Sequence, residues 1–243
     1  MTMELITNRT QHNVDTLTRL RMKGWQNLSA TERAEYLGNA ALGAYNYTDL
    51  NRVESAVASI SSTKNLGLVT KTNWSAWDAP TQSDMERYLG NVVAIQNMEI
   101  ELIPETAVSE RYTYIPGYLM DSVYDGQTIV LYFDGIRYES IIGKDEDIFY
   151  ASFEEIEPNG GVITLQMLGQ NTMVTLFKIT GEHTVSLFAC GTPELASIPI
   201  PNTMNGLNYE SANNIEKVLE IAYDLVSSNN TLGVARLGEI ILS

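Results

Sequence analysis

Few side chains in this sequence are of the types that carry out covalent or metal chemistry. There are two histidines, His12 and His183, and one cysteine, Cys190. His183 lies in the turn-like stretch TGEHTV, where a lone histidine is typically solvated, and a zinc site would need further ligands nearby. Cysteine is among the residue types most often buried, so Cys190 is interpreted as a packing residue rather than a nucleophile. A single cysteine also excludes an intrachain disulfide and a cysteine-rich metal site.

The acidic stretch KDEDIFYASFEEIE, residues 144–157, holds the main candidate ligands. The carboxylates of Asp145, Asp147, Glu154 and Glu157 would suit Ca²⁺, although their spacing is not that of an EF-hand loop. A solvated acidic face is the favoured interpretation. A carboxylate pair for glycoside hydrolysis stays open, because the separation of such a pair depends on the fold. No GxSxG, P-loop or Rossmann fingerprint occurs, so we expect no enzyme activity, cofactor or bound metal.

Aromatic side chains offer a second kind of binding chemistry. Trp74 and Trp77 lie three residues apart, and Tyr112 and Tyr114 precede a strand-like region. These four residues would suit a sugar-stacking platform, or they would fill a junction between two domains. The junction is favoured for the tryptophans, and both interpretations stay open for the tyrosines.

The charge of the chain excludes other classes of partner. It has 15 Lys and Arg against 30 Asp and Glu, a net charge of −15, which disfavours binding to a phosphate backbone. No apolar run reaches the roughly 18 residues of a membrane span, and MTMELITNRT lacks the pattern of a signal peptide. We therefore expect no nucleic-acid partner and no membrane insertion.

Residues 1–103 are predicted to form a helical domain. Ser29 and Glu32 have the spacing of a capping box, and a further helix begins near Thr48. This helix carries an apolar stripe of Leu50, Val53, Val57 and Ile60, which we expect to face Tyr88, Leu89 and Val92 of the helix before Pro104. Short loops between the helices predict helical hairpins or a small bundle.

Residues 104–203 are predicted to form an antiparallel β domain. The turn signals Asp134-Gly135, Asn159-Gly160-Gly161 and Thr180-Gly181-Glu182 each separate two strand-like runs. About seven strands are expected, in a sandwich or barrel. Pro199 and Pro201 would stiffen an extended exit. The predicted fold class is thus α+β, with a third region, 204–243, that contains a C-terminal helix.

The start of that C-terminal helix repeats an earlier one. Asn46-Tyr47, Asn51 and Glu54 match Asn208-Tyr209, Asn213 and Glu216. Either two amphipathic helices resemble each other by chance, or a structural adaptor flanks the β domain. The polar matches favour the adaptor, because packing does not require them.

The apolar stripe of the second copy must be covered. It consists of Ile215, Val218, Leu219 and Ala222, and it would pack on the helical domain of its own chain or on symmetry mates. The stiff lead at Pro199 and Pro201 favours symmetry mates. Both helix stripes are therefore candidate interfaces, and the chain is predicted to be a homo-oligomer.

Two stretches, ERAEYLGNAALGAYNYTDLNRVESAV and MERYLGNVVAI, resemble a segment common in tail, baseplate and tail-fibre proteins of phages and prophages of Gram-positive bacteria. Asn51-Arg52-Val53-Glu54 matches the family's helix entry, whereas Asn213-Asn214-Ile215-Glu216 departs from it at the arginine. The resemblance covers roughly residues 20–100 and, loosely, 205–225.

The resemblance implies a non-enzymatic virion component that is assembled in the bacterial host cytoplasm. Its helical domain would dock onto the particle through other virion proteins, and its β domain would be directed outward. The alternative is a carbohydrate-binding or glycan-degrading cell-surface module, and a host-surface glycan is a further candidate partner. A fibre, a baseplate, a neck component and a capsid decoration all agree with the sequence.

Overall fold

The structure is a computed structural model that describes residues 4–108, 112–116, 123–156, 161–168, 171–176, 181–203 and 207–239. Within these ranges the chain forms six α-helices and two antiparallel sheets, which confirms the α+β class. The helices are α1 (Gln11–Lys23), α2 (Ala30–Leu37), α3 (Tyr47–Lys64), α4 (Gln82–Gln96), α5 (Pro193–Ala196) and α6 (Tyr209–Glu239).

Three of the helices, α3, α4 and α6, pack against one another. Asn46 caps α3 by accepting a hydrogen bond from the Thr48 backbone N–H, which fixes where the helix begins. From there the apolar stripe runs into the core, and Val53, Val57 and Ile60 are buried. Tyr88, Leu89 and Val92 of α4 are buried as well, and α3 packs on α4.

The stripe of α6 is covered by its own chain, which differs from the expectation that symmetry mates cover it. Ile215, Val218, Leu219 and Ala222 are each 0 % exposed, and α6 packs on both α3 and α4. The segment around Pro199 contacts α6 near its start, since Asn214 Nδ2 donates to the Pro199 carbonyl at 3.1 Å. The proline-containing lead therefore returns the chain to the N-terminal helices.

A smaller separate core lies around α1, with Tyr36 of α2 packed against it. Leu17, Leu20, Leu28 and Ala40 are its buried members. After α2 the chain changes to a 3₁₀ turn at Asn39–Gly43, so Leu37 ends the helix and is 70 % exposed.

Nine strands are described: β1 (Glu99–Val108), β2 (Tyr112–Pro116), β3 (Thr128–Phe133), β4 (Ile136–Ile141), β5 (Gly143–Asp145), β6 (Ile148–Ile156), β7 (Gly161–Leu168), β8 (Asn171–Leu176) and β9 (His183–Cys190). One sheet has the order β1-β9-β3-β4 and the other β2-β8-β7-β6-β5. The expected hairpin at Asp134-Gly135 joins β3 and β4.

Two strand predictions differ from the structure. The Thr180-Gly181-Glu182 turn does not make a hairpin, because β8 and β9 belong to different sheets. Residues 99–103 are strand rather than helix, and Pro104 lies inside β1. An edge strand tolerates a proline, and the register of β1 on β9 shifts between Ile103 and Thr106.

The chain divides into two compact units instead of the three consecutive domains expected from the sequence. The helical unit comprises residues 1–96 and 198–243, and the β unit comprises 97–197. The predicted third region, 204–243, belongs to the helical unit because α6 completes the core of α3 and α4. The β unit is thus inserted within the sequence of the helical unit. None of the described helices is long and apolar enough to cross a membrane.

Candidate functional site

The polar residues repeated in the sequence form two similar arrangements in the helical unit. In α3, Asn51 and Glu54 form what we name the first clamp. Asn51 Oδ1 accepts from the Trp74 N–H at 2.7 Å, and Asn51 Nδ2 donates to the Trp74 carbonyl at 2.8 Å. Glu54 accepts from the Lys71 N–H at 3.2 Å. The clamp therefore holds the backbone of Lys71–Trp74, which we name the first strap.

The second clamp consists of Asn213 and Glu216 in α6. Asn213 Oδ1 accepts from the Arg9 N–H at 3.0 Å, and Asn213 Nδ2 donates to the Arg9 carbonyl at 2.8 Å. Glu216 accepts from the Ile6 N–H at 2.6 Å. The second strap, Ile6–Arg9, is thus held in the same way as the first.

The straps repeat in sequence as the clamps do. Residues 6–10 read ITNRT and residues 71–75 read KTNWS, so a Thr-Asn pair stands at the same place in each. The following residue is buried in both, as Arg9 and as Trp74. The N–H groups of Thr10 and Ser75 are each accepted by the side chain three residues later, Asn13 and Asp78. The internal repeat therefore covers both the clamp and the strap.

A buried charge network surrounds the second clamp. Glu216 is 0 % exposed and accepts from Arg9 at 2.8 Å and from Arg52 at 2.7 Å. Asp49 accepts from the same two guanidinium groups. Two arginines and two carboxylates balance in charge, so the network depends on all four. Removal of one partner from a buried ion pair typically costs about 3–5 kcal/mol.

Electrostatics keep Arg52 and Arg87 in their charged forms. Burial on its own would lower the pKa of Arg52, but hydrogen bonds to Glu216 and Asp49 raise that pKa above its ordinary value. At the first clamp, the hydrogen bond to Glu54 raises the pKa of Arg87, whose two terminal nitrogens contact the carboxylate at 2.5 and 2.9 Å.

Two tyrosines beside the network are held as neutral phenols. The hydroxyls of Tyr45 and Tyr88 hydrogen-bond to each other, and burial raises the pKa of both. The Arg9 guanidinium lies 5.4 Å from the centre of the Tyr45 ring, within range of a cation–π contact. A phenol with a raised pKa does not ionise near neutral pH, so this pair is suited to packing and hydrogen bonding.

A cavity of about 260 Å³ adjoins the network. Its wall includes Arg9, Tyr45 and residues 207–209 at the start of α6. Small-molecule sites usually measure about 300–1,000 Å³. The cavity is thus smaller than a typical cofactor or substrate pocket.

The aromatic residues do not form one platform. Trp74 is 3 % exposed and its ring lies 3.6 Å from the Lys71 ammonium, whereas Trp77 is 95 % exposed. Trp74 is therefore a buried anchor of the first strap. The backbones of Tyr112 and Tyr114 belong to β2 and pair with β8, and their side chains lie outside the described residues.

The acidic segment is spread along two strands. Asp145 ends β5, Asp147 lies in the turn before β6, and Glu154 belongs to β6. Glu157 lies outside the described residues. Among the residues that are described, no group of three or more His, Cys, Asp or Glu side chains is arranged to hold a metal ion.

His183 and Cys190 occupy the two ends of β9. His183 is not a solvated turn residue, since its side chain is 10 % exposed and stacks on Phe133 at 4.7 Å between ring centres. His183 Nδ1 lies 2.7 Å from Asp134 Oδ2. Partial burial on its own would raise the pKa of Asp134, but hydrogen bonds with His183 and Thr184 hold that pKa below its ordinary value.

Burial raises the pKa of the Cys190 thiol, which disfavours a reactive thiolate.

Comparison of the chain with protein-family models, curated proteins and solved structures found no match. Function is therefore inferred from the residues and their geometry. The prediction from sequence identified Asn51, Glu54, Asn213 and Glu216 as a repeat but missed Arg9, Asp49 and the straps. The repeated Thr-Asn pair was the available signal for the straps.

Proposed function

We propose that this chain is a non-enzymatic structural component of a phage virion, in the tail, baseplate or tail fibre. The helical unit docks onto other virion proteins, and the β unit is directed outward or towards a neighbour. One observation carries the proposal: Asn51, Arg52 and Glu54, the polar residues of the segment that resembles phage proteins, make contacts that hold the helical unit together. Asn51 holds the first strap, Arg52 pairs with Glu216, and Glu54 pairs with Arg87.

The inserted β unit supports this division of roles. The chain leaves the helical unit after Gln96 and returns at Ile198, and Gln96 Nε2 donates to the Ile198 carbonyl at 2.8 Å. Within the β unit, the Gly191 N–H donates to the Met98 carbonyl at 3.0 Å, so its two ends also lie side by side. Adjacent ends are what domain insertion requires. The helical unit then serves as a carrier and the β unit as the part it carries.

For the β unit we propose a sandwich of its two sheets. One buried cluster contains side chains from β1, β3 and β9 of one sheet and from β6 and β7 of the other. Residues such as Leu131 and Leu187 thus share a core with Phe153 and Leu165. Such shared burial is typical of two sheets packed face to face.

Charge limits the partners of the β unit. Residues 97–197 contain 16 Asp and Glu but 4 Lys and Arg, so this unit carries most of the chain's net charge of −15. Such a surface repels anionic polymers such as teichoic acid and favours basic or neutral partners. In a virion, the β unit would accordingly face a basic protein surface or a neutral glycan.

The decisive experiment is quantitative mass spectrometry of purified particles from an induced lysogen that encodes the chain. A virion component is expected at a fixed copy number relative to the major capsid protein, and antibody labelling should place it on the tail. Particles that lack the chain after gradient purification would refute the proposal.

A neutral-glycan-binding module is the alternative, and the exposure of Trp77 favours it. An indole that is 95 % exposed offers a face on which a sugar ring would stack. If the alternative holds, the full chain binds neutral cell-wall polysaccharide and Trp77→Ala abolishes that binding. Trp25→Ala is the matched control, since Trp25 packs on the Tyr36 ring and is 48 % exposed.

A further inference from the structure

The second clamp differs from the first in which parts of the chain it joins. Glu54 and Lys71 are 17 positions apart, so the first strap is tethered to its clamp by a short connection. Glu216 and Ile6 are 210 positions apart, and Asn213 and Arg9 are 204 apart. The second clamp therefore joins two segments that are far apart in the sequence, and its strap need not come from the same copy.

The polar contacts of the second strap centre on Arg9. Between Glu4 and Thr10, Arg9 is the residue that is buried, while Leu5, Ile6 and Thr7 are partly exposed. The N–H and carbonyl of Arg9 bind Asn213, and its guanidinium binds Asp49 and Glu216. The polar attachment of the strap is therefore concentrated on Arg9, and the same strap of another copy could remake all of its contacts.

The boundary between the strap and α1 is fixed without the second clamp. Thr10 caps α1 and makes a reciprocal capping box with Asn13. Helix α1 packs in the separate small core of Leu17, Leu20, Leu28 and Ala40. Residues 4–9 can thus change position while α1 stays folded. Six extended residues span about 20 Å, which sets how far the strap can reach from the start of α1.

A vacated second clamp requires another arginine. Without Arg9, the buried Asp49 and Glu216 would share the single guanidinium of Arg52. An uncompensated buried carboxylate is strongly unfavourable. The occupant must therefore present a backbone N–H and carbonyl together with a guanidinium, which are the groups that the same strap of a second copy carries.

We propose that the second clamp is an exchangeable junction, in which residues 4–9 of one copy bind Asn213 and Glu216 of a second copy. The contacts are the same within and between copies, so the local concentration of the chain decides which form prevails. Assembly at high local concentration favours the exchanged form, and each copy then completes the charge network of another.

Two complementary variants of the full chain test the exchange. Arg9→Ala lacks a competent strap but keeps the second clamp, and the double variant Asn213→Ala/Glu216→Gln lacks the clamp but keeps the strap. Native mass spectrometry of each variant alone should show the 27.0 kDa monomer. A 1:1 mixture should show a heterodimer, because one intact strap meets one intact clamp. Two folded variants that remain monomeric in the mixture would overturn the proposal.

A second measurement applies if the double variant fails to fold. The Arg9→Ala chain, whose own strap no longer competes for the second clamp, is titrated against a fluorescent peptide of residues 4–10, ELITNRT, and anisotropy is measured. Exchange predicts saturable binding that weakens at least tenfold when the peptide carries Arg9→Ala. A peptide with Asn8→Ala is the control and should bind as the unmodified peptide does, because the Asn8 side chain is exposed. Absence of saturable binding, or equal affinity for the Arg9→Ala peptide, would refute the exchange.

Discussion

Replacement of Asn51 by alanine should destabilise the helical unit more than its single polar side chain suggests. Asn51 makes both hydrogen bonds to the Trp74 backbone, at 2.7 and 2.8 Å, and Trp74 is 3 % exposed. Alanine leaves that N–H and that carbonyl without their partner in a region with little access to water. The first strap then loses its attachment to α3 at its buried residue.

The expected magnitude follows from the two lost hydrogen bonds. A buried polar group left unsatisfied costs about 1–3 kcal/mol. Alanine recovers about 0.6 kcal/mol through its higher helix propensity. We therefore expect the free energy of unfolding of the helical unit to fall by roughly 2–4 kcal/mol.

Tryptophan fluorescence during urea unfolding measures this change selectively. The chain's 3 tryptophans, Trp25, Trp74 and Trp77, all belong to the helical unit, so the signal does not report on the β unit. With a denaturant dependence near 2 kcal/mol per molar urea, the midpoint should fall by about 1–2 M. Separate observation of one unit matters because two units need not unfold together.

Gln82→Ala is the matched control for Asn51→Ala. Gln82 also lies in a helix of the helical unit, but its side chain donates to Glu86 on the exposed surface, at 2.7 Å. Such a surface pair is worth about 0.2–0.5 kcal/mol. If the midpoint of Asn51→Ala coincides with that of Gln82→Ala, the first clamp does not hold the strap in solution.

Four further outcomes follow from particular contacts. Replacement of residues 97–197 by a short Gly-Ser linker should leave a helical unit that unfolds cooperatively in the fluorescence assay, because Gln96 and Ile198 are already hydrogen-bonded. Loss of cooperativity would show that the helical unit depends on the β unit for its stability. Leu219→Asp should unfold the helical unit at a cost of several kcal/mol, since Leu219 is 0 % exposed. A variant that stays folded and only dissociates to a smaller mass in light scattering would show instead that α6 packs between copies. Gly43→Ala should lower the thermal midpoint, because its Cβ would lie 2.4 Å from the Asn13 carbonyl oxygen, whereas Gly90→Ala, which meets no atom within 4 Å, should raise it. Hydrogen bonding with Lys23 lowers the pKa of Glu32 to about 2, so the contribution of Glu32 to stability should be complete above its ordinary pKa of 4.5 and be lost as the pH falls towards 2. In an NMR titration, Lys23→Ala should raise the pKa of Glu32 again, and an unchanged pKa would contradict the contact.

Local signals predicted the local parts of the fold. The capping box of Ser29 and Glu32 begins α2, and the stripe of Val53, Val57 and Ile60 is buried as its spacing indicated. Asp134 and Gly135 both have positive φ angles, 49° and 78°, as a tight hairpin between β3 and β4 requires. These features depend on neighbours within a few residues.

Long-range partners were not readable from the sequence. The turn at Gly181 carries the chain from one sheet to the other, and pairing of β9 with β1 and β3 depends on residues far away. Pro104 suggested the end of a helix, but at a sheet edge its missing N–H leaves no ladder bond unmade. Burial of Leu219 within its own chain likewise depends on α3 and α4, which precede it by more than 120 positions.

The repeat between α3 and α6 is explained by what the two clamps bind. An asparagine amide that pairs with both backbone groups of one residue does not select that residue's side chain, so the same clamp accepts Trp74 in one place and Arg9 in the other. The charge balance is what distinguishes them: Arg87 of α4 neutralises Glu54, whereas Glu216 draws on Arg52 and on the strap's own Arg9. Occupation of the first clamp is therefore complete without any charge from its strap. The second clamp is complete only when a strap that carries an arginine is present, and this dependence makes the attachment of residues 6–9 to α6 a condition for the stability of the helical unit.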